Sequence, residues 1–442
     1  MQTELIAMPP SFEELLSMWK DFGFTKNLYD THPISGNARG ERLLVGRDKE
    51  LKGLKNRITG FKTVTTIEGP NGVGKTSFVM VGGFQLENQS KGMGKSSILL
   101  LPEPFQLTLE DSALDFKRKV YAAIASHFIE NEKTLRSQLD LQFGLSPLEA
   151  WLENPIFLNG SASAAGFSLG GGKAANESSG FDLHGFFALV DRLLKSAFDD
   201  EGGILCVVDN LEILNTSQVA RQRLEELRDD LFAKHGIKWV VCGARGIVRS
   251  VASSQRLQGR LQEPIEITPL SADAIQDLVQ TRVREFRLRD DAIPPVGPRS
   301  FNHAFHVLNE NLRDTLKFCG DFSLWLSDSN QANHDEEILD ELFEIWLADQ
   351  SEAYMAAVNV PPRAWKLFDD ICEQGGSISP SDHEEFGFNS SQNMRGQVQK
   401  LEQADLVVSE LSDTDHRRKT VSVVAKGWLL RHHRSGYVKR EE

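Results

Sequence analysis

Cysteine is scarce in this chain of 442 residues: Cys206, Cys242, Cys319 and Cys372 stand far apart and form no C-x-x-C pair. A disulfide scaffold and a thiolate metal site of ordinary spacing are thereby excluded. Two of the four lie in apolar, strand-like runs, so buried free thiols are expected. Long hydrophobic stretches are missing too. None approaches the roughly 20 residues that span a bilayer, and no membrane partner is expected. The start, Met1-Gln2-Thr3-Glu4, lacks the cationic segment of a secretion signal, which makes the cytoplasm the expected location. An excess of positive charge is also lacking. The net charge of −14 excludes a protein that coats nucleic acid through bulk electrostatics. From Pro361 to Glu442, however, 12 Lys or Arg face 13 Asp or Glu, leaving −13 for the first 360 residues. Any contact with DNA is therefore expected from a local basic patch near the C-terminus.

What is present is an ordinary globular composition, 40% hydrophobic and 25% charged, with enough length for two or three domains. Its most informative stretch is Gly69-Pro70-Asn71-Gly72-Val73-Gly74-Lys75-Thr76, which fits G-x-x-x-x-G-K-[ST] at every fixed position. Glycines let the backbone turn so that successive N–H groups point inward at phosphate oxygens. Lys75 adds a cation for the β and γ phosphates, and the Thr76 hydroxyl is placed to hold Mg²⁺. Thr63 to Ile67 is β-branched and reads as a buried strand; Ser77 to Val81 continues as a helix whose N-terminus faces the phosphates. Strand, glycine loop and helix thus follow in the order the motif requires.

A second acidic landmark lies downstream. Ile204-Leu205-Cys206-Val207-Val208-Asp209 is a continuous apolar run ending in an acid, the form of a Walker B strand whose carboxylate, Asp209, holds Mg²⁺ through water. Ile98 to Leu101 reads as another sheet strand, a helical region runs from about Thr108 to Glu132, and a further helix from Leu183 to Ala197. Trp239 to Gly243 is another core strand. The segment 158–181 is rich in Gly, Ser and Ala, and two readings stand for it: a flexible surface loop or a protruding β-hairpin.

The C-terminal region has its own pattern. A helix from Arg363 to Glu373 is stopped by Gly375-Gly376, a short helix follows near Ser381–Phe386, and a third begins at a cap, Asn389 or Ser390, and carries Met394, Val398 and Leu401. Two strand runs then flank a charged turn. Three helices and a hairpin are the order of a winged helix-turn-helix, whose third helix enters the major groove. Gln392, Asn393, Arg395, Gln399 and Lys400 are its polar side chains able to meet duplex DNA, and Arg417, Arg418 and Lys419 would neutralise phosphates from the wing.

Taken together these motifs resemble the origin-recognition and replication-initiator branch of the AAA+ ATPases, and the neighbouring STAND group of signalling switches, over about residues 40–430. Gly46-Arg47, ahead of the P-loop, resembles the N-terminal box that packs beside the adenine in those families. By the same resemblance Arg245 is the sensor-1 candidate, Arg260 a candidate arginine finger and Arg313 a candidate sensor 2. The resemblance implies an α/β fold: a P-loop NTPase of AAA+ type with a parallel five-stranded sheet, a helical lid and a C-terminal winged helix. The expected divisions are an extension over 1–40, the ATPase core over 41–268, the lid over 269–358 and the winged domain over 359–442. It also implies a switch with ATP and Mg²⁺ as cofactors that works as a homo-oligomer or with a partner protein.

One departure bears on mechanism. The initiator branch carries Asp-Glu after the Walker B strand, the Glu polarising the attacking water. Here Asn210 follows Asp209, and an amide orients water without accepting its proton. Glu212 is the nearest substitute. Slow hydrolysis is therefore expected. The function alternatives are a switch acting on a DNA–protein complex and a STAND-type ATPase of signalling or antiviral defence. In the latter the winged domain makes protein contacts and a separate protein is the effector, since no protease, nuclease or TIR-like segment is evident. A plain metabolic kinase is disfavoured because it would leave the winged domain without a purpose.

Overall fold

The computed structural model describes residues 18–153 and 183–435, apart from 215–216, 245, 253, 330, 332–333 and 412–418. The Gly/Ser-rich segment 158–181 and the side chains of Arg245, Arg417 and Arg418 lie outside the described residues, and the side chains of Glu212 and Lys419 are likewise not described. Two compact units divide the chain, one over 33–268 and the other joining 18–32 to 269–410 and 419–435.

The first unit is built on a parallel sheet. Its main path runs β2 (Ile98–Leu100), β4 (Gly203–Asp209), β5 (Ile237–Gly243), β1 (Thr65–Glu68) and β6 (Ile265–Glu266), and a two-residue β3 (Phe105–Gln106) pairs separately with β4. All seven residues of β4 are buried, because helices cover both faces of the sheet. Alternation along β4 divides the core in two. Ile204, Cys206 and Val208 pack with the helices Ala113–Glu130 and Leu183–Ala197, whereas Leu205 and Val207 pack with the helices Asp48–Gly60 and Lys75–Ser90. The expected five-stranded sheet is thus present, with β3 as a short addition. All four cysteines are buried free thiols, as expected.

Two glycines settle how the helix after the P-loop lies. A Cβ at Gly82 would meet Leu54 Cδ2 at 2.6 Å, and one at Gly83 would meet Leu100 Cδ1 at 2.7 Å. Gly82-Gly83 therefore lets the helix approach its neighbour helix on one side and the sheet on the other, at the cost of some helix propensity.

The second unit is mostly helical. Residues 18–32 join it through Tyr29, whose hydroxyl donates to the Val296 carbonyl at 2.7 Å and accepts from the Val296 N–H at 2.8 Å. Buried Arg282 donates to the Leu28 carbonyl at 2.7 Å. Four helices follow, Ala272–Phe286, Pro298–Val307, Leu312–Asp328 and Glu336–Ala357; Ser271 caps the first, its side chain accepting from the Ala274 N–H. The C-terminal elements are the helix Pro362–Glu373, β7 (Ser377–Ile378), a short 3-10 turn Pro380–Asp382, the helix Ser391–Gln403, β8 (Val407–Leu411), β9 (Lys419–Val423) and the helix Ala425–Arg434. Their three strands form a sheet in the order β7-β9-β8, with β7 antiparallel to β9. The short helix expected near Ser381–Phe386 is corrected to that 3-10 turn followed by turns to Gly387: residues 383–386 carry only one buried apolar side chain, Phe386, and Gly387 adopts φ +70°.

Candidate nucleotide site

The carboxyl end of a parallel sheet is where chain segments leave the strands, and β1 leaves it into the glycine loop. Gly72 and Gly74 adopt φ +80° and +97°, a region that side chains with a Cβ rarely enter. A Cβ at Gly69 would lie 2.5 Å from the Ile267 carbonyl oxygen, in the segment that follows β6. Gly74 directly precedes the helix Lys75–Ser90, so the unsatisfied N–H groups of its first turn open on the loop. Lys75 is buried at 6% exposure, its ammonium donating to the carbonyls of Gly69 at 3.0 Å and Pro70 at 3.2 Å. Val73 is buried, Pro70 and Asn71 are exposed, and Ser77 is half-buried, its hydroxyl accepting from the Ile34 N–H at 2.9 Å.

β5 lies between β1 and β4, so the Walker B candidate ends two strands from the loop, about 10 Å by ordinary strand spacing. The side chains close that gap. Thr76 Oγ1 donates to Asp209 Oδ2 at 2.5 Å. Asp209 is 4% exposed, and its other oxygen, Oδ1, is buried with no hydrogen-bond partner among the described residues. A lone pair so placed costs free energy unless something polar occupies the space before it. A hydroxyl and one carboxylate, with the remaining positions left to water and phosphate, suit a hydrated Mg²⁺, and the residues present therefore fit this ion. Among the described residues no cluster of three or more His, Cys, Asp or Glu forms a denser metal site.

The other candidates are distributed as follows. Arg47 is 5% exposed, with Nη2 3.5 Å from the Val73 carbonyl and Nη1 3.5 Å from Glu50 Oε1; burial lowers its pKa, opposed by Glu50. The structure thus brings Arg47 to the loop, while Gly46 is exposed with φ +67°. Asn210 sits in the left-handed region at φ +58°, where the chain turns from β4 into the 3-10 turn Leu211–Leu214, and Ile213 N–H donates to its carbonyl at 3.0 Å. Asparagine tolerates that conformation better than glutamate does, so the departure from Asp-Glu has a backbone reason as well as a chemical one. Arg260 is exposed at the amino end of β1, its carbonyl accepting from Val64 N–H, which is the end of the strand opposite the loop. Arg313 is exposed on the first turn of its helix. Gln392, Asn393, Arg395, Gln399 and Lys400 are all exposed, while Met394, Val398 and Leu401 face the core.

Two polar groups at this sheet end escaped sequence reasoning. Glu68, the residue before the loop, is 1% exposed; Arg249 Nη2 donates to its Oε1 at 2.7 Å, and Oε2 is buried without a partner. Its place beside the motif was visible, but a charged residue closing a buried strand had no periodic signal. Gln106 stands in register with Asp209 through the two-residue β3. No sequence pattern announces so short a strand.

No family model matches this sequence, and no curated protein matches it. Among solved structures, the ORC1 protein of Aeropyrum pernix in complex with DNA aligns at 15% identity and a TM-score of 0.40, over 90% of this chain and 97% of that one. The ORC2 protein of the same organism, in its ADPNP–ADP complexes, aligns at 9% identity and a TM-score of 0.44, over 93% and 100%. Drosophila ORC bound to DNA gives 12% and 0.37, over 98% and 96%. Similarity this weak carries no functional argument. Function has to be read from this chain's own side chains.

Proposed function

We propose that this protein is an ATP- and Mg²⁺-dependent switch of AAA+ type that assembles as an oligomer or with a partner and engages a DNA–protein complex through a C-terminal winged helix. The carrying observation is the Thr76–Asp209 hydrogen bond, which joins two motifs 133 residues apart and leaves Asp209 Oδ1 buried and unpaired. Thr76 and Asp209 would hold Mg²⁺, which supplies charge neutralisation for the transferring phosphoryl group. Loop N–H groups bind phosphate oxygens, Lys75 adds a charge-assisted donor, and Arg47 fixes the loop from behind. Hydrolysis to ADP and phosphate is slow, because Asn210 accepts no proton.

For the C-terminal module, exposure of all five polar side chains on the helix Ser391–Gln403 supports contact with a duplex. A second function, a STAND-type switch whose module binds protein, is favoured by a different observation. Arg431 and Arg434 are tied to Asp369 and Glu373 within the module instead of being offered to phosphates. One experiment tests both: calorimetric titration with ATP and Mg²⁺, followed by duplex DNA binding at two salt concentrations. Uptake of ATP with a steep loss of DNA affinity in salt supports the first function; uptake without any duplex binding selects the second. No uptake of ATP refutes both.

A further inference from the structure

β3 raises a question that the rest of the fold does not. The chain leaves β2 at Leu100, crosses Pro102-Glu103-Pro104, and returns to pair with β4 for only two residues, Phe105 opposite Val208 and Gln106 opposite Asp209. This return is firmly anchored. Phe105 packs edge-on to Phe116 at 5.9 Å and against Trp239 at 6.4 Å, and Leu107 is buried at 2% exposure.

Strand alternation then decides where Gln106 points. Phe105, Leu107 and Val208 all join the core on the side of the helix Ala113–Glu130. Gln106, between Phe105 and Leu107, is directed to the other face, and register partners in a parallel pair share a face. That face is the one on which Asp209 meets Thr76. Gln106 is exposed, and its amide makes no hydrogen bond among the described residues. Two amides therefore flank Asp209: Asn210 follows it in the chain, and Gln106 stands beside it across the ladder.

We propose that Gln106 positions the attacking water for hydrolysis, a role that rests on the nucleotide site proposed above. Its carbonyl accepts a hydrogen bond from the water, and its NH₂ is available to a phosphate oxygen. The water oxygen bonds to the γ-phosphorus as the bond from that phosphorus to the bridging oxygen breaks, and ADP departs with the electron pair. Neither amide takes the proton, which passes to a phosphate oxygen. The pair thus supplies orientation without basicity, consistent with slow turnover.

The test uses the full-length protein with ATP and Mg²⁺ in single-turnover hydrolysis, and a non-hydrolysable ATP analogue in calorimetry. Gln106→Ala is expected to lower turnover at least about tenfold while the analogue Kd stays within about twofold of the wild type. Gln106→Glu keeps an acceptor oxygen for the water while losing the amide donor, and is expected to turn over faster than the alanine variant. Turnover unchanged in Gln106→Ala overturns the role, as does a loss matched by an equal rise in Kd, or a Gln106→Glu protein as slow as the alanine variant. A wild-type protein that binds the analogue but never cleaves ATP overturns this role alone, whereas failure to bind the analogue overturns the nucleotide site itself.

Discussion

The loop end of the parallel sheet and the outer face of the helix Ser391–Gln403 are both rich in polar residues, yet they stand in opposite physical situations. At the sheet, Lys75, Asp209, Glu68 and Arg47 are each at most 6% exposed, and two carboxylate oxygens have no partner. On the helix, every candidate polar side chain is exposed. Buried polar atoms left unpaired cost free energy, and two of them, Asp209 Oδ1 and Glu68 Oε2, lie together at the loop end of the sheet. Exposed ones are satisfied by water and are equally at home with or without a partner. The proposed nucleotide site therefore rests on buried groups of the protein itself, and the DNA contact has to be tested from outside.

The largest expected effect attacks the buried side of this comparison. Lys75→Ala removes a charge-assisted donor and should weaken ATP binding by about 3 kcal/mol, roughly a hundredfold, in calorimetry; a loss under tenfold would break the comparison. Asp209→Asn sharpens it further. Without nucleotide this variant should melt no lower than the wild type, because an unpaired buried charge is gone, while the added stability conferred by Mg²⁺ and ATP disappears. A marked fall in its melting temperature without ligand would show that Asp209 is already satisfied.

Next in size is the exposed side. Replacing Arg395 and Lys400 together by alanine should lower duplex affinity about tenfold and reduce the salt slope by about two, with no change in ATP binding. Equal DNA binding by the double variant and the wild type at both salt concentrations would remove this helix from the interface.

Smaller effects separate backbone from side chain. Asn210→Ala should cost about 1 kcal/mol of stability, whereas Asn210→Gly should be nearly neutral, since only the former is strained at φ +58°. Comparable thermal melts for the two variants would contradict that assignment. The smallest effect concerns the helix Ala425–Arg434. There His432 lies in ring contact with His303 at 5.4 Å; His303 Nδ1 is 2.5 Å from Glu344 Oε1, and His433 is its chain neighbour. Burial first, and then His303 and His433, lower the His432 pKa from 6.5, against Glu344, which raises it. Because the folded pKa is depressed, the neutral ring is the favoured form. Its stabilisation is full above about pH 6.5 and declines as pH falls below that value. Thermal melts between pH 7.5 and 5.5 should fall more in the wild type than in His432→Gln, and parallel curves would refute the sign.

Much of the nucleotide site was legible because its chemistry is written in backbone requirements. Gly72 and Gly74 need positive φ, and Asp209 ends a strand buried on both faces, so residue type and order suffice to read them. The faces of the third C-terminal helix were equally legible: Met394, Val398 and Leu401 recur at helical spacing and are buried. The short helix near Ser381–Phe386 was misread because residues 381–386 bury a single apolar side chain, Phe386, and Gly387 at φ +70° follows at once, too little to sustain a helix. Gln106 and the Glu68–Arg249 pair were out of reach, since each depends on a neighbour more than a hundred residues away.

The sequence by itself determined the glycine loop, the acid that ends β4 and the amphipathic stripes of the helices, because turns, caps and periodicity are local consequences of residue type. Only the tertiary structure decided which polar atoms are buried together. Strand register and the packing of Phe105 place Gln106 beside Asp209, and a buried arginine reaches back to bind residues 28 and 30. Burial and pairing are properties of surfaces brought together from distant parts of the chain, and no local rule of residue order encodes them.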